Sequence, residues 1–198
     1  FTYSNHQVIR DPEEGLFKCW YEDLEGPDRR LSSHHFNMFS RQLYAQSRDG
    51  IHWEKPLLDV ARHNGAPTNI VLGDPEYGQV HSCGYVIDPD AADEAERYRA
   101  IYAHYWDGPS ERGRRTECAH SPDGIHWSPY GTSPSFGRCG PRLGDVSTLY
   151  YDPESRDFVQ ITRHFLQRNA PANPANPRNP VNRGSFNVPH EPHNFTSY

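Results

Sequence analysis

The chain writes one phrase twice: SRDGIHW from Ser47 to Trp53 and SPDGIHW from Ser121 to Trp127, an offset of 74 residues (121 minus 47). A recurrence at that period constrains the fold more than any single residue, because it requires one supersecondary unit to be built at least twice. Asp-Gly supplies the positive φ of a tight turn, and the Ser and Asp side chains can hydrogen-bond across it. Trp53 and Trp127 then open a following strand and offer an apolar plate for packing between sheets. His52 and His126 are acid–base groups by residue type, but their place in a repeated outer turn reads as structural.

A second phrase recurs around the first. It runs QVIRDPEEGLFKCWYE from Gln7, GYVIDPDAADEAERYRAIYAHY from Gly84, and TLYYDPESRDFVQITRHF from Thr148. Each is an apolar-aromatic run, an Asp-Pro turn and a second aromatic run, which together read as a β-hairpin. In two cases a third run follows, RQLYAQS or TECAHS, and ends in the Asp-Gly turn. Strand, Asp-Pro turn, strand, loop, strand, Asp-Gly turn and Trp strand describe a four-stranded antiparallel unit, and its repetition around an axis is a β-propeller blade. With 18 Pro, 12 Tyr, 4 Trp and a single Met in 198 residues, the composition agrees with an all-β chain.

The net charge of −6, with no basic cluster, argues against a nucleic-acid partner. No apolar run approaches the ~20 residues that span a membrane. The four cysteines, Cys19, Cys83, Cys118 and Cys139, lack C-x-x-C spacing, so structural zinc is not expected and their disulfide state is open. Location is equally open, with a secreted or periplasmic one slightly favoured.

The phrase S-x-D-G-I-H-W-x-x-P, with HNGAPTNIVL from His63 to Leu72 and GDVSTLYYDPESRDFV from Gly144 to Val159, resembles the five-bladed propellers of glycoside hydrolase families 32 and 43, in particular bacterial family-32-like proteins. The likeness runs to about Phe165. It implies a five-bladed β-propeller with a ligand site at the axis and oligo- or polysaccharide as partner. It leaves room for a structural Ca2+ near the axis, held by carboxylate and carbonyl oxygens and water; no other cofactor is required. Arg10-Asp11-Pro12 and Glu117-Cys118 spell two motifs of family 32, but the first lies in a repeated hairpin turn and the second on a third strand. Both read as decoys, and the family's W-x-N-D-P-N-G nucleophile motif is absent from the chain.

Aligning the first strands on Asp11, Asp88 and Asp152 puts Ser4, His81 and Asp145 at one inner position, with His6, Cys83 and Ser147 two residues on. Aligning the second strands on Phe17, Tyr98 and Phe158 makes Glu22, Ala103 and Arg163 equivalent. A glycosidase needs two carboxyl groups, one acid with a raised pKa and one ionised partner. Asp145 is the candidate for the ionised member and Glu22 for the acid, with His81, His6, Arg163 and Ser4 as substrate-binding residues and no metal ligands assigned.

Residues 1–165 thus read as about two and a half four-stranded blades, spanning roughly 1–60, 61–135 and 136–165 onward. Residues 166–198, with three Asn-Pro pairs, read as a loop leading into the unfinished third blade. Two and a half blades cannot close a five-bladed ring, so the remaining blades are expected in a longer chain or another copy. The function expected is a glycoside hydrolase with a carboxylate pair at the central pore. The alternative is a non-catalytic glycan-binding or interaction propeller.

Overall fold

The computed structural model describes residues 2–25, 39–74, 77–107, 112–130 and 147–162. They are almost wholly antiparallel β-structure, with one 3-10 turn at Glu94–Glu96 and no helix long and apolar enough to cross a membrane. The first sheet contains β1 (Thr2–Arg10), β2 (Phe17–Glu25) and β3 (Phe39–Ser47). A small hairpin follows, β4 (Leu58–His63) with β5 (Ala66–Thr68), before β6 (Ile70–Leu72). The second sheet is built from β7 (Gln79–Ile87), β8 (Tyr98–Asp107), β9 (Arg112–Ser121) and β10 (Ser128–Pro129). A third, two-stranded sheet pairs β11 (Ser147–Asp152) with β12 (Asp157–Thr162).

The three Asp-Pro hairpins share one register. Arg10 pairs with Phe17, Ile87 with Tyr98 and Tyr151 with Phe158. The shorter two are the same turn: Gly15 and Arg156 both have positive φ, and their N–H groups donate to the carbonyls of Asp11 and Asp152. In the middle hairpin an inserted segment ends in the 3-10 turn, capped by the Asp93 side chain.

The fourth strands differ from expectation. In the second sheet β10 directly follows Trp127 and pairs with His120 and Ala119. In the first, Trp53 is followed only by an isolated bridge from Glu54 to Gln46, because Pro56 has no N–H with which to continue the ladder. The sheet takes its fourth strand instead from Ile70–Leu72, beyond the boundary near residue 60 read from the sequence, and its order is β1-β2-β3-β6. The β4–β5 hairpin fills the interval.

The repeated heptapeptide is a turn, built twice to the same plan. The Ser47 and Ser121 hydroxyls each lie 3.0 Å from Oδ1 of Asp49 or Asp123, and each accepts the glycine N–H two residues further on from its arginine or proline neighbour, at 2.9 and 2.8 Å. Each Asp Oδ1 accepts the N–H groups of the following Ile and His at 2.7–2.8 Å, and Oδ2 takes the His Nδ1 at 2.6 Å. Each Trp Nε1 donates back to the glycine carbonyl, at 3.2 and 3.1 Å. Gly50 and Gly124 both sit at φ 75°, a conformation open to glycine at no steric cost. His52 and His126 are exposed and held within their own turns.

Successive sheets pack face to face. Between the first two, Trp20 stacks on Tyr85 (centroids 4.9 Å apart, planes 18°) and meets the edge of Trp127 at 6.4 Å. Trp20, Tyr44, Tyr85, Tyr98 and Tyr102 are fully buried, each contact between such rings adding about 0.5–1.5 kcal/mol beyond the area removed from water. A second core joins Val86, Ile101, Ala103, Tyr105 and Cys118 to Leu149 of β11. The first strands approach one another: the Gln7 side chain accepts the Tyr85 N–H at 2.8 Å and donates to the carbonyls of both Tyr85 and Leu149. At Gly84 a Cβ would lie 2.8 Å from the Leu149 nitrogen, so only glycine lets β7 and β11 come this close.

A glutamate–histidine pair between two sheets

Glu22 lies on the face of β2 that carries Lys18 and Trp20 and packs against the second sheet, and it is fully buried. Three groups meet its carboxylate. The Ser40 hydroxyl of β3 lies 2.7 Å from Oε1, the Ser82 N–H donates to Oε2 at 3.1 Å, and His81 Nδ1 hydrogen-bonds Oε1. The Ser40 hydroxyl also lies 3.0 Å from the Val80 carbonyl, which Gln42 Nε2 approaches at 3.2 Å.

A bulge makes this convergence. The β7–β8 register shifts between His81 and Gly84, and Ser82, fully buried, takes φ 60°. A regular strand alternates its side chains across the sheet, whereas the bulge aims the His81 side chain and the Ser82 N–H at one carboxylate. A serine held in the left-handed region costs on the order of 1 kcal/mol, offset here by the bond its N–H makes to Glu22.

Burial alone would raise the Glu22 pKa. The hydrogen bond and charge of His81, with the Ser40 and Ser82 donors, outweigh burial and hold the carboxyl below the usual glutamate range. The acid role expected of Glu22 calls for a shift upward, whereas the donors around it favour the ionised form. The carboxylate holds the His81 ring through Nδ1 and so fixes its direction. His81 has 14% of its side chain exposed and Glu22 none, so the histidine is the member of the pair that solvent reaches.

Of the other expected site residues, only His6 has a described side chain. His6 is exposed on β1 and pairs with Tyr21, on the opposite face of the sheet from Glu22. Ser4 lies in β1, with its side chain outside the described atoms, as Asp145 and Arg163 lie outside the described residues. Cys83 is buried beside Tyr85 rather than lining a polar channel, and Cys19 and Cys83 are free thiols. Cys139 and residues 166–198 are likewise outside the described residues. Among the described residues no three His, Cys, Asp or Glu side chains converge to hold a metal ion. Ser40 and Ser82 have no signal in the sequence, because their role depends on a bulge and on a strand some 60 residues away.

The two motif look-alikes are buried structural groups. Asp11 is gripped at both oxygens by the Arg97 guanidinium, at 2.6 and 2.9 Å, and also meets the Tyr98 hydroxyl and the Glu13 and Glu14 N–H groups. Glu117 Oε2 accepts the Tyr77 hydroxyl at 2.6 Å and lies 3.0 Å from His104 Nδ1, tying the segment that carries Tyr77 to the second sheet.

No protein-family model matches the chain, and no curated protein matches it. Among solved structures it is similar to an N-acetylgalactosamine deacetylase from F. plautii, crystallised with blood group B trisaccharide, at 14% identity and TM-score 0.46 over 80% of this chain and 44% of that one. It is also similar to a provisionally assigned glycoside hydrolase from Parabacteroides distasonis, at 19% identity and TM-score 0.44 over 83% of this chain and 42% of that one. The chain thus spans less than half the length of either. Likeness at this level carries no argument about activity.

Proposed function

We propose that the chain forms part of a five-bladed β-propeller in a carbohydrate-active protein that cleaves a glycosidic bond near the line where β1, β7 and β11 approach. The observation that carries the reading is the Glu22–His81 pair, an ionised and fully buried carboxylate holding a partly exposed imidazole between the first two sheets. The sheet-upon-sheet packing and the family resemblance of the repeated phrases support the propeller.

In this reading Glu22 is a positioning residue. It has no exposed surface from which to reach a sugar, so it acts by fixing the direction of His81, which contacts substrate. Asp145 remains the proposed carboxylate at the scissile bond, with Arg163 and Ser4 beside it. A structural Ca2+ belongs to the resemblance, and no step here depends on one.

The burial of Glu22 also favours a second reading, a non-catalytic glycan-binding propeller, since one member of the expected carboxylate pair is withdrawn from solvent. Assaying the protein and its His81→Gln and Asp145→Asn variants for binding and turnover on a panel of oligosaccharides separates the two. Turnover lost with binding kept means an enzyme. Binding without turnover in the parent means the second reading. Neither binding nor turnover on any glycan would overturn both.

A further inference from the structure

Asn64-Gly65 is the one Asn-Gly pair in the chain, and it forms the tip of the β4–β5 hairpin. His63 pairs with Ala66 across it, and φ is 50° at Asn64 and 79° at Gly65, the two positive values of a type I′ turn. Both residues are exposed, and a Cβ on Gly65 would meet nothing within 4 Å. Among the described residues, the side-chain bond that reaches the turn runs from Arg62 Nη1 to the Gly65 carbonyl, at 3.1 Å. It holds neither the Asn64 amide nor the Gly65 N–H.

An asparagine side chain can close on the backbone nitrogen of the next residue, because the ring so formed has five members. A side chain on that next residue shields the nitrogen, and glycine has none. The hairpin also gives the two groups freedom to meet. β4 and β5 form a two-stranded sheet of their own, with a register shift between Leu58 and Arg62, and such a pair is marginally stable in water. Brief local opening brings nitrogen and carbonyl into line without unfolding the larger sheets.

We propose that Asn64 is a site of spontaneous deamidation, which converts it to aspartate and isoaspartate through a cyclic imide. The Gly65 nitrogen gives up its proton and attacks Asn64 Cγ. The new C–N bond forms as the Cγ–Nδ2 bond breaks, and Nδ2 leaves as ammonia. Water then opens the ring: cleavage at Cγ gives aspartate, and cleavage at the backbone carbonyl gives isoaspartate. Water is the only co-reactant, and nothing is oxidised or reduced.

The other candidates for this chemistry are guarded. Asn69 Nδ2 is held by the Tyr21 hydroxyl and the Tyr44 carbonyl, both at 2.8 Å, and the next nitrogen belongs to buried, branched Ile70. Asp49-Gly50 and Asp123-Gly124 have glycines, but their carboxylates are ionised and occupied by their own turns, and ring closure needs a neutral carboxyl. The second of them is also covered by β2, with Trp20 Nε1 donating to the Gly124 carbonyl at 2.7 Å and Lys18 Nζ to the Asp123 carbonyl at 2.9 Å. At the Asn64 turn, isoaspartate adds a methylene to the main chain, which breaks the pairing of His63 with Ala66. His63 Nδ1, 3.3 Å from Arg41 Nη1, then loses its fixed place against β3. The inference rests on the turn and not on the Glu22–His81 pair.

The test incubates the folded protein at mildly alkaline pH and follows each asparagine by peptide mapping and mass spectrometry, with isoaspartate detected by enzymatic methylation. Residue 64 should gain the mass of an NH-to-O exchange more than about tenfold faster than residue 69, which only a larger opening releases. The rate should rise with pH, and Asn64→Gln, whose ring would have six members, should show no gain. Equal rates at the two asparagines would overturn the proposal, as would conversion of Asn64 in urea but not in the folded protein. A gain of the same size in the Asn64→Gln peptide would place the reaction at another residue and overturn it too.

Discussion

Glu22 and His81 stand 59 residues apart in sequence and share a hydrogen bond across two sheets, with the carboxylate fully buried and the imidazole at its open side. Removing the acceptor strands three donors. Glu22→Ala should therefore cost about 3–5 kcal/mol, the usual penalty for breaking a buried pair, while Glu22→Gln should cost less because it still accepts. Urea unfolding of the two variants beside the parent checks the order. If Ala is no worse than Gln, the convergence does not contribute to stability.

The same pair sets a pH dependence. A carboxyl held below its ordinary range contributes stability that is present above the unfolded pKa, about 4.3 for glutamate, and lost as pH falls through the folded value. Stability of the parent should drop relative to Glu22→Gln as the pH is lowered below about 4.5. Chemical denaturation across the acid range measures the gap, and a gap that stays constant with pH would show that Glu22 is not held ionised.

Asp11 gives a second acid-sensitive contact, between different elements. Arg97 and Lys18 are nearly buried around it, and hydrogen bonds from Arg97, Tyr98 and the Glu13 and Glu14 N–H groups hold its carboxyl well below the usual range against the opposing effect of burial. Asp11→Asn leaves two cations short of one counter-charge. Glu13 and Glu14 still pair with Arg97 and Lys18, so the expected cost is about 3 kcal/mol, at the lower end for a broken buried pair. Thermal unfolding of the variant measures it. A change within error would mean that Glu13 and Glu14 suffice.

The two Asp-Gly turns make an internal control. Both Asp49 and Asp123 are held ionised by their own turns, Asp123 down to about 2 against the pull of burial. Among the described residues only the second turn carries a neighbouring sheet. Asp123→Ala should cost about 1–3 kcal/mol because it also loosens the seat of Trp20 and Lys18, and Asp49→Ala should cost less. Equal losses in side-by-side denaturation would mean that docking adds nothing to the turn.

Gly84→Ala should be more damaging than Gly15→Ala, although only Gly15 has positive φ. The methyl at Gly84 meets backbone atoms of Thr148 and Leu149, which cannot rotate aside, and overpacking of this kind costs about 1–3 kcal/mol. Gly15 faces open space and carries only backbone strain. Hydrogen exchange at Tyr85 and Leu149 should speed up in the first variant alone. Unchanged exchange there would refute the close approach of β7 and β11.

The Asp-Pro hairpins and their common register were legible in the sequence because their determinants are local: proline at the second turn position, an Asp that caps, and aromatic runs on either side. The repeated heptapeptide was legible as a turn for the same reason. What escaped was set by partners far along the chain. The charge state of Glu22 depends on His81 and Ser82, and they reach it only through a bulge that no residue pattern announces. The fourth strand of the first sheet comes from beyond an intervening hairpin, which periodicity alone does not reveal. The sequence pointed to Glu22 and His81 as inner residues, yet it gave no sign of the donors that surround the Glu22 carboxylate.

The Asp-Gly turn makes the same hydrogen bonds where a sheet covers it and where solvent does. It therefore needs nothing from its neighbour in order to form, and on the time scale of short hairpins, about 1–10 μs, it is finished long before contacts such as Gln7 to Leu149, 142 residues apart, are made. Each sheet then meets a rigid, prebuilt seat rather than ordering one on arrival. In kinetic terms the slow step of this fold is search and not local construction, and substitutions within the first turn should slow folding while leaving the unfolding rate nearly untouched.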